Sequence, residues 1–470
     1  MPRRWYEILS GKDYDKRLNY INLFLLLLPV FLAFFYVFLF GVNGVFGDQW
    51  NIVYLFQKVF SGTITVSELF AQHNEHRIFF PLIFMLLLGV ITHYNNIVEM
   101  YSIVVFLSLS WIILLSGIKE LFNNKLIRVT AICIPVTFLI FTWRQCTNML
   151  AGFQITYAFA HTFSLLSLYL VYRFIRSDKR GMRVTYLILS MAGAVIASFS
   201  SAMGLVVWIA GLSMLAAGTP EHRRKIGWPT AVWIAAGALS WLLYFINYHS
   251  PTVSARFGGV FNFIDMPFKA ALYFFTLCGG WFTWNTLLSM IAGIVILALF
   301  FLSLFFVYGT GRVKENLFWI GTGLFSLFTM AAITAGRYNE GNTQALSSRY
   351  VTFSVLMVIA VYVMLADLSV HKQNKQSKYM VLLVLFMIIT SIPVSFFYGS
   401  LVGKKDMLQR EKDACILYNY RSSDDRSLLE LYPLAHAVKH WAGILQRLDY
   451  NVFYYNPVYT YNCDKMSIKE

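Results

Sequence analysis

Six consecutive polar residues, Gln72-His73-Asn74-Glu75-His76-Arg77, stand directly before an apolar stretch, and Gly47-Asp48-Gln49-Trp50 lies upstream in the same loop. A carboxylate beside an acceptor hydroxyl can serve as general base, so Asp48 and Glu75 are the candidate catalytic groups. His73, Asn74, His76 and Arg77 are candidate substrate contacts. Guanidinium and imidazole groups neutralise phosphate, and Arg does so in a bidentate way. His73 and His76 lack the i, i+4 spacing of a helical zinc pair. No cofactor is expected, and the triplet with Glu75 leaves a divalent metal open. The competing reading is a loop whose charges merely face water beside a membrane.

Two further clusters have the same character. Trp143-Arg144-Gln145-Cys146-Thr147-Asn148 precedes Gly152-Phe153-Gln154. Arg144, Gln145, Asn148 and Gln154 are spaced to share one polar helical surface, and amides with aromatic rings suit a sugar. Gly336-Arg337-Tyr338-Asn339-Glu340 leads to Ser348-Arg349-Tyr350. Arg337 and Arg349 flank a short loop between two apolar stretches, where a guanidinium suits a lipid-linked phosphate; Tyr350 accompanies them. Lys404-Lys405 follows the last apolar stretch and is a further candidate for phosphate contact. The stretch 247–285, with His249, Arg256, Asp265 and Lys269, reads as an amphipathic interfacial segment.

The elements that carry these residues are membrane spans. The chain has 470 residues, 58% hydrophobic and only 13% charged, with a formal charge of +15. Soluble domains run nearer half apolar and about a quarter charged. The composition excludes an ordinary soluble protein, a disordered chain and a disulfide scaffold. It also turns the basic excess into a topology signal rather than a sign of nucleic-acid binding. Eleven stretches read as transmembrane helices: 20–41, 99–118, 128–142, 159–175, 184–200, 203–217, 229–247, 286–308, 316–334, 350–368 and 379–398. Two more, 78–93 and 266–283, are apolar but short or interrupted. The fold class is therefore an all-α polytopic membrane protein with about eleven spans and no cleavable leader.

Basic residues set the expected orientation. With the N-terminus inside, twenty-one of the thirty-eight Lys and Arg fall on the cytoplasmic side, seven in the opposite loops and ten in the tail. If 78–93 crossed fully and 99–118 crossed back, the basic loop at 173–183 would land outside, so either 78–93 or a neighbouring segment is expected to be interfacial or re-entrant. Residues 1–398 then form a membrane domain, and 399–470 an extracytoplasmic cap. Leu428 to Leu448 has helical spacing, and Asn451 to Tyr455 reads as extended. Cys415 and Cys463 can pair if the cap lies in an oxidising compartment. No nucleotide-binding loop, dinucleotide fingerprint, zincin motif or hydrolase elbow is present.

With its inside N-terminus, acidic first outer loop (Asp48, Glu75), ten or more spans and outer C-terminal region, the chain resembles the GT-C superfamily of integral membrane glycosyltransferases. Lys404-Lys405, the size and the outer tail make it similar to bacterial Gtr-type serotype-converting glucosyltransferases. The resemblance implies transfer of a hexose, glucose above all, from a polyprenyl-phosphate donor to a surface glycan such as O-antigen, at the periplasmic face of the inner membrane. It also implies a first-loop carboxylate in catalysis. The chain departs from the paired acidic motif of some members, since Asp48 is followed by Gln49, so Asp48 and Glu75 both stay open as the base. The alternative function is a flippase for lipid-linked sugars, against which the scarcity of charges within the spans speaks.

Overall fold

The computed structural model describes residues 11–122, 126–218, 227–249, 266–457, 461 and 463, and for 11–19 and 126–128 only the backbone. Arg256 and Asp265 lie outside the described residues. Among the described residues ten helices are long and apolar enough to cross a membrane. The protein is a multi-pass integral membrane protein, and the regular structure of its described residues is helical apart from one minimal hairpin.

In chain order, α1 (Gly11–Phe40) leads into the polar loop with α2 (Trp50–Phe60) and the strands β1 (Gln72–His73) and β2 (His76–Arg77). Then come α3 (Phe79–Ile91), α4 (Asn96–Leu121), α5 (Leu126–Ile140), α6 (Ile155–Arg176) and α7 (Arg180–Ser198). They are followed by α8 (Val207–Gly218), α9 (Trp228–Phe245), α10 (Pro267–Cys278), α11 (Thr286–Gly309), α12 (Val313–Arg337) and α13 (Ser348–His371). Helix α14 (Lys375–Tyr418) carries the last span on into the tail, which adds α15 (Asp425–Leu431) and α16 (Ala435–Leu448). Helix starts follow local chemistry. Asn95, Asn285 and Asn374 cap α4, α11 and α14 through their side-chain oxygens, and proline stands in the first turn of α9 and α10.

Two ends of the bundle can be told apart by their contacts. At one, Glu120 of α4 meets Arg173 of α6 (3.0 Å), and Arg312 beside α12 meets the buried Asp367 of α13 (2.6 Å). At the other, the ends of α7 and α9 meet through Phe199 and Tyr244, and the polar loop lies against them. Because α7 and α9 finish together, α8 and the 3-10 turn Ala202–Val206 before it must return between them. That gives eleven passes among the described residues. The two ambiguous stretches enter and leave on one side. Helix α3 starts with Phe80 N–H donating to Phe199 O (3.3 Å) and ends beside the tail, where Asn451 N–H donates to His93 O (2.8 Å). Helix α10 carries Lys269, bonded to Asn339, in its first turn and ends against the head of α11.

Helix α13 is the axis, buried along its whole apolar length. Outer faces such as Phe24, Phe31 and Phe38 of α1 stay exposed, the kind of apolar surface that a membrane covers. Two expectations about the tail change. The last span does not stop near 398 but runs on as one helix to Tyr418, so Lys404 and Lys405 lie within a helix rather than after one. Asn451–Phe453 is a 3-10 turn, not an extended piece, because Asn451 turns its side chain inward to bond Asn43 and the Tyr94 carbonyl. A disulfide joins Cys415 to Cys463.

Candidate functional site

The first loop folds into two small devices. Gly47–Gln49 form a 3-10 turn, entered at Gly47 with φ +55°, a conformation that glycine reaches without steric cost. The second device is the hairpin β1–β2, in register Gln72↔Arg77 and His73↔His76, with Asn74-Glu75 at its tip. Asn74 takes the left-handed conformation (φ 51°) that such tips require and asparagine tolerates. The hairpin is clamped to the end of α9: Tyr244 Oη–H donates to Glu75 O (2.8 Å), and Gln72 exchanges hydrogen bonds with the backbone of His249 (2.7 and 3.0 Å).

These devices bring charged groups from three elements into one cluster. Glu75 accepts a hydrogen bond from the guanidinium of Arg337, whose other nitrogen bonds Glu340 (2.7 Å). His76 Nε2 stands 3.7 Å from Glu75 Oε1. His73 Nε2 stands 3.6 Å from Asp48 Oδ1. Arg349, in the first turn of α13, acts electrostatically on Asp48 and His76. Its Nε is buried with no partner in the protein. Tyr350 accepts from Gln344 Nε2 (3.0 Å), and Gln344 in turn accepts from Tyr273 of α10. Lys269 Nζ bonds Asn339 (3.2 Å) at the rim.

Electrostatics separate the two carboxylates. Burial opposes ionisation of Glu75, but His76 and the hydrogen-bonded Arg337 outweigh it and bring its pKa down to about 2. Asp48 is also held below its ordinary value: burial opposes ionisation there too, and His73, Arg349 and His76 outweigh it. The Asp48 side chain is 47% exposed, against 22% for Glu75. Burial pushes the pKa of His76 down to about 4, against the pull of Glu75. Its Nδ1 accepts from Ala202 N–H (3.2 Å), which fits the neutral ring.

Other sequence candidates have different surroundings. The Arg77 guanidinium is taken up by the carbonyls of Tyr244, Phe70 and Ile246, and it stacks over Phe70; it braces the hairpin. The expected single surface of Arg144, Gln145, Asn148 and Gln154 is broken into a 3-10 turn, a short helix and a second 3-10 turn. Arg144 donates to Thr283 O and Leu346 O and stacks on Trp284. Asn148 donates to Ser348 O, Arg349 O and Thr352 Oγ1, and Gln145 accepts from Thr352. These side chains hold the start of α13, and with it Arg349, in place. Gln154 Oε1 is buried without a partner, and Asn74 lies exposed at the hairpin tip. Lys405 acts on Asp406 beside it rather than on the Glu75–Arg337 pair, and both lysines are exposed. Among the described residues no group of three or more His, Cys, Asp or Glu is placed to hold a metal ion.

Gln49, Glu99, Tyr273 and Gln344 escaped the sequence reading. Glu99 offered a signal, as a lone acid opening an otherwise apolar run. The others offered none, because their roles depend on which loops meet.

No family model matches the chain, and no curated protein matches it. Among solved structures it is similar to the oligosaccharyltransferase of Archaeoglobus fulgidus. The apo form aligns with a TM-score of 0.46 at 12% identity, over 91% of this chain and 61% of that one. The form tethered to an acceptor peptide gives 0.45 at 11% identity, over 88% and 59%. The form with Zn and sulfate gives 0.41 at 12%, over 87% and 57%. The chain thus spans about six-tenths of the length of the proteins it matches.

Proposed function

We propose that the protein is a membrane glycosyltransferase of the GT-C type. It transfers a hexose from a polyprenyl-phosphate donor to a surface glycan at the extracytoplasmic face of a bacterial inner membrane. The observation that carries this reading is a half-exposed carboxylate, Asp48, standing in the field of a half-buried arginine, Arg349, whose buried Nε lacks a partner. A guanidinium with an unfilled donor suits the donor phosphate, and the solvent-facing carboxylate suits an acceptor hydroxyl. The cluster lies where α12 ends and α13 begins, the place at which a lipid-anchored substrate would present its headgroup.

In the reaction, the acceptor hydroxyl gives its proton to Asp48 and its oxygen attacks the anomeric carbon. The bond from that carbon to the phosphate oxygen breaks, and polyprenyl phosphate leaves with the bonding pair. One attack by one nucleophile inverts the anomeric carbon. Arg349 and Arg337 stabilise the phosphate as charge gathers on it. Asp48 is assigned as the base because Glu75 is already hydrogen-bonded to Arg337 and its pKa is about 2. Glu75 holds Arg337 in place instead.

The test is transfer of labelled glucose from polyprenyl-phosphate glucose in membranes that carry a surface glycan. Asp48→Asn is expected to lower kcat by roughly a hundredfold or more, the scale of a lost general base. Glu75→Gln is expected to raise the donor KM more than it lowers kcat. An Asp48→Asn protein that folds and keeps wild-type turnover sinks the assignment.

A further inference from the structure

We propose that Glu99, at the head of α4, is the positioning residue that sets where the Asp48 carboxylate stands, an inference that rests on the sugar-transfer reading above. Glu99 is 1% exposed, and an uncharged run follows it to Ile118. A carboxylate so placed is costly to bury unless a donor meets it. One donor does: Gln49 Nε2 bonds Glu99 Oε2 at 2.7 Å, while Glu99 Oε1 is buried with no partner.

The other atom of the same Gln49 amide closes the turn. Its Oε1 accepts from Phe46 N–H (3.2 Å), and the backbone carbonyl of Gln49 accepts from the hydroxyl of Tyr94 (3.2 Å). Phe46–Gln49 is therefore a turn with a buried foot, Gln49, and an exposed tip, Asp48. The foot is fixed to α4, a membrane helix, by one side-chain bond. The surrounding backbone is shaped for that bond. A Cβ at Gly152 would lie 2.0 Å from Glu99 Oε2 and 2.7 Å from Gln49 Nε2. The next residue, Phe153, packs on His73 (4.9 Å between rings), which in turn stands 3.6 Å from Asp48. The Gly152-Phe153 step thus fits both the foot of the turn and the imidazole that faces its tip. Glu99 touches none of the reacting atoms in the proposed reaction; it acts through Gln49 on the placement of Asp48. A misplacement of about 1 Å in a reacting group can cost on the order of a hundredfold in rate.

Two readouts on the full-length protein test this. In the glucose-transfer assay, Glu99→Leu removes the acceptor, and kcat is expected to fall by roughly ten- to a hundredfold with the donor KM within about twofold of wild type. Gln49→Met cuts the same bond from the other side and is expected to match it. Glu99→Gln keeps an oxygen for Gln49 Nε2 and is expected to retain at least about half of kcat. A folded Glu99→Leu or Gln49→Met protein with wild-type kcat overturns the proposal, and so does a Glu99→Gln protein that falls as far as Glu99→Leu.

The second readout needs no substrate. Asp48 is coupled to an amine with a water-soluble carbodiimide and followed by mass spectrometry. Equal labelling rates in wild type and Glu99→Gln, with a severalfold change in Glu99→Leu, support the anchor; equal rates in all three overturn it. Wild-type protein that transfers no glucose yet shows this labelling difference would refute the sugar-transfer reading and leave the anchor standing.

Discussion

At the scale of the residue, the cluster shows how much of a carboxylate's chemistry depends on its partner. Asp48 and Glu75 are equal candidates as letters in a sequence. Geometry separates them, because Glu75 meets a guanidinium and Asp48 meets an imidazole and the solvent. That difference has a consequence in acid. His76 is held neutral, with a pKa of about 4 against an ordinary 6.5, so the unfolded chain takes up a proton before the folded one does. Its contribution to stability is complete above pH 6.5 and is lost as the pH falls from 6.5 to 4. Glu75, at about 2 against an ordinary 4.5, adds a second loss from pH 4.5 down to 2. Both act in the same direction, so the melting temperature of the detergent-solubilised protein is expected to fall steadily below pH 6.5. His76→Gln is expected to flatten the part of the curve between pH 6.5 and 4. A melting temperature that is unchanged between pH 7 and 4 in the wild type would contradict this account of the hairpin.

At the scale of the element, the site depends on how closely helices approach. Helix α10 brings Tyr273 and Lys269 to the cluster, and it lies so near α11 that their backbones touch. A Cβ at Gly293 would stand 1.9 Å from Phe275 O, and one at Gly279 would stand 1.8 Å from Ser289 O. Small residues at such crossings are what packing within a membrane rewards. Gly293→Ala is expected to push α10 away from α11, destabilise the protein by about 1–3 kcal/mol and reduce transfer, because the Tyr273–Gln344–Tyr350 chain shifts with α10. Gly309→Ala meets nothing within 4 Å and should leave melting temperature and transfer unchanged. Equal effects of the two substitutions would refute the argument. The helices themselves were legible in the sequence: every stretch read as a span is a helix, and the charge count required that 78–93 or a neighbour not cross, which the contacts of α3 then assign to α3. The tail was less legible. Polarity after residue 398 suggested a break where α14 continues, since a helix leaving a membrane changes its composition without changing its hydrogen bonds. The interior bonds of the site, Gln49 to Glu99 and Asn148 to the start of α13, were not legible, because no local spacing records which loops meet across fifty or two hundred residues.

At the scale of the whole molecule, the site end and the opposite end differ in charge and in chemistry, and the two differences agree. The loops assigned to the cytoplasm hold twenty-one Lys and Arg, whereas at the site end the loops hold seven and the tail ten, the latter nearly balanced by nine Asp and Glu. Membrane proteins retain basic loops in the cytoplasm, so the site end should face out. The disulfide Cys415–Cys463 is on the same end, in the tail that packs on the first loop through Trp441 and Trp50. Disulfides persist in oxidising compartments and are rare in the cytosol, which gives the same orientation from an unrelated property. The three remaining cysteines, Cys133, Cys146 and Cys278, are buried, so the wild-type protein is expected to be silent to a membrane-impermeant maleimide. Two single substitutions at exposed positions then read the orientation directly. Ser61→Cys lies in the first loop at the site end, and Gln376→Cys lies at the start of α14 at the opposite end. In right-side-out membrane vesicles, Ser61→Cys should label at once, and Gln376→Cys only after the vesicles are opened. The reverse pattern would place Asp48 and Arg349 in the cytosol, in a compartment that reduces the disulfide and lacks the surface glycan, and would overturn the proposed acceptor along with the orientation.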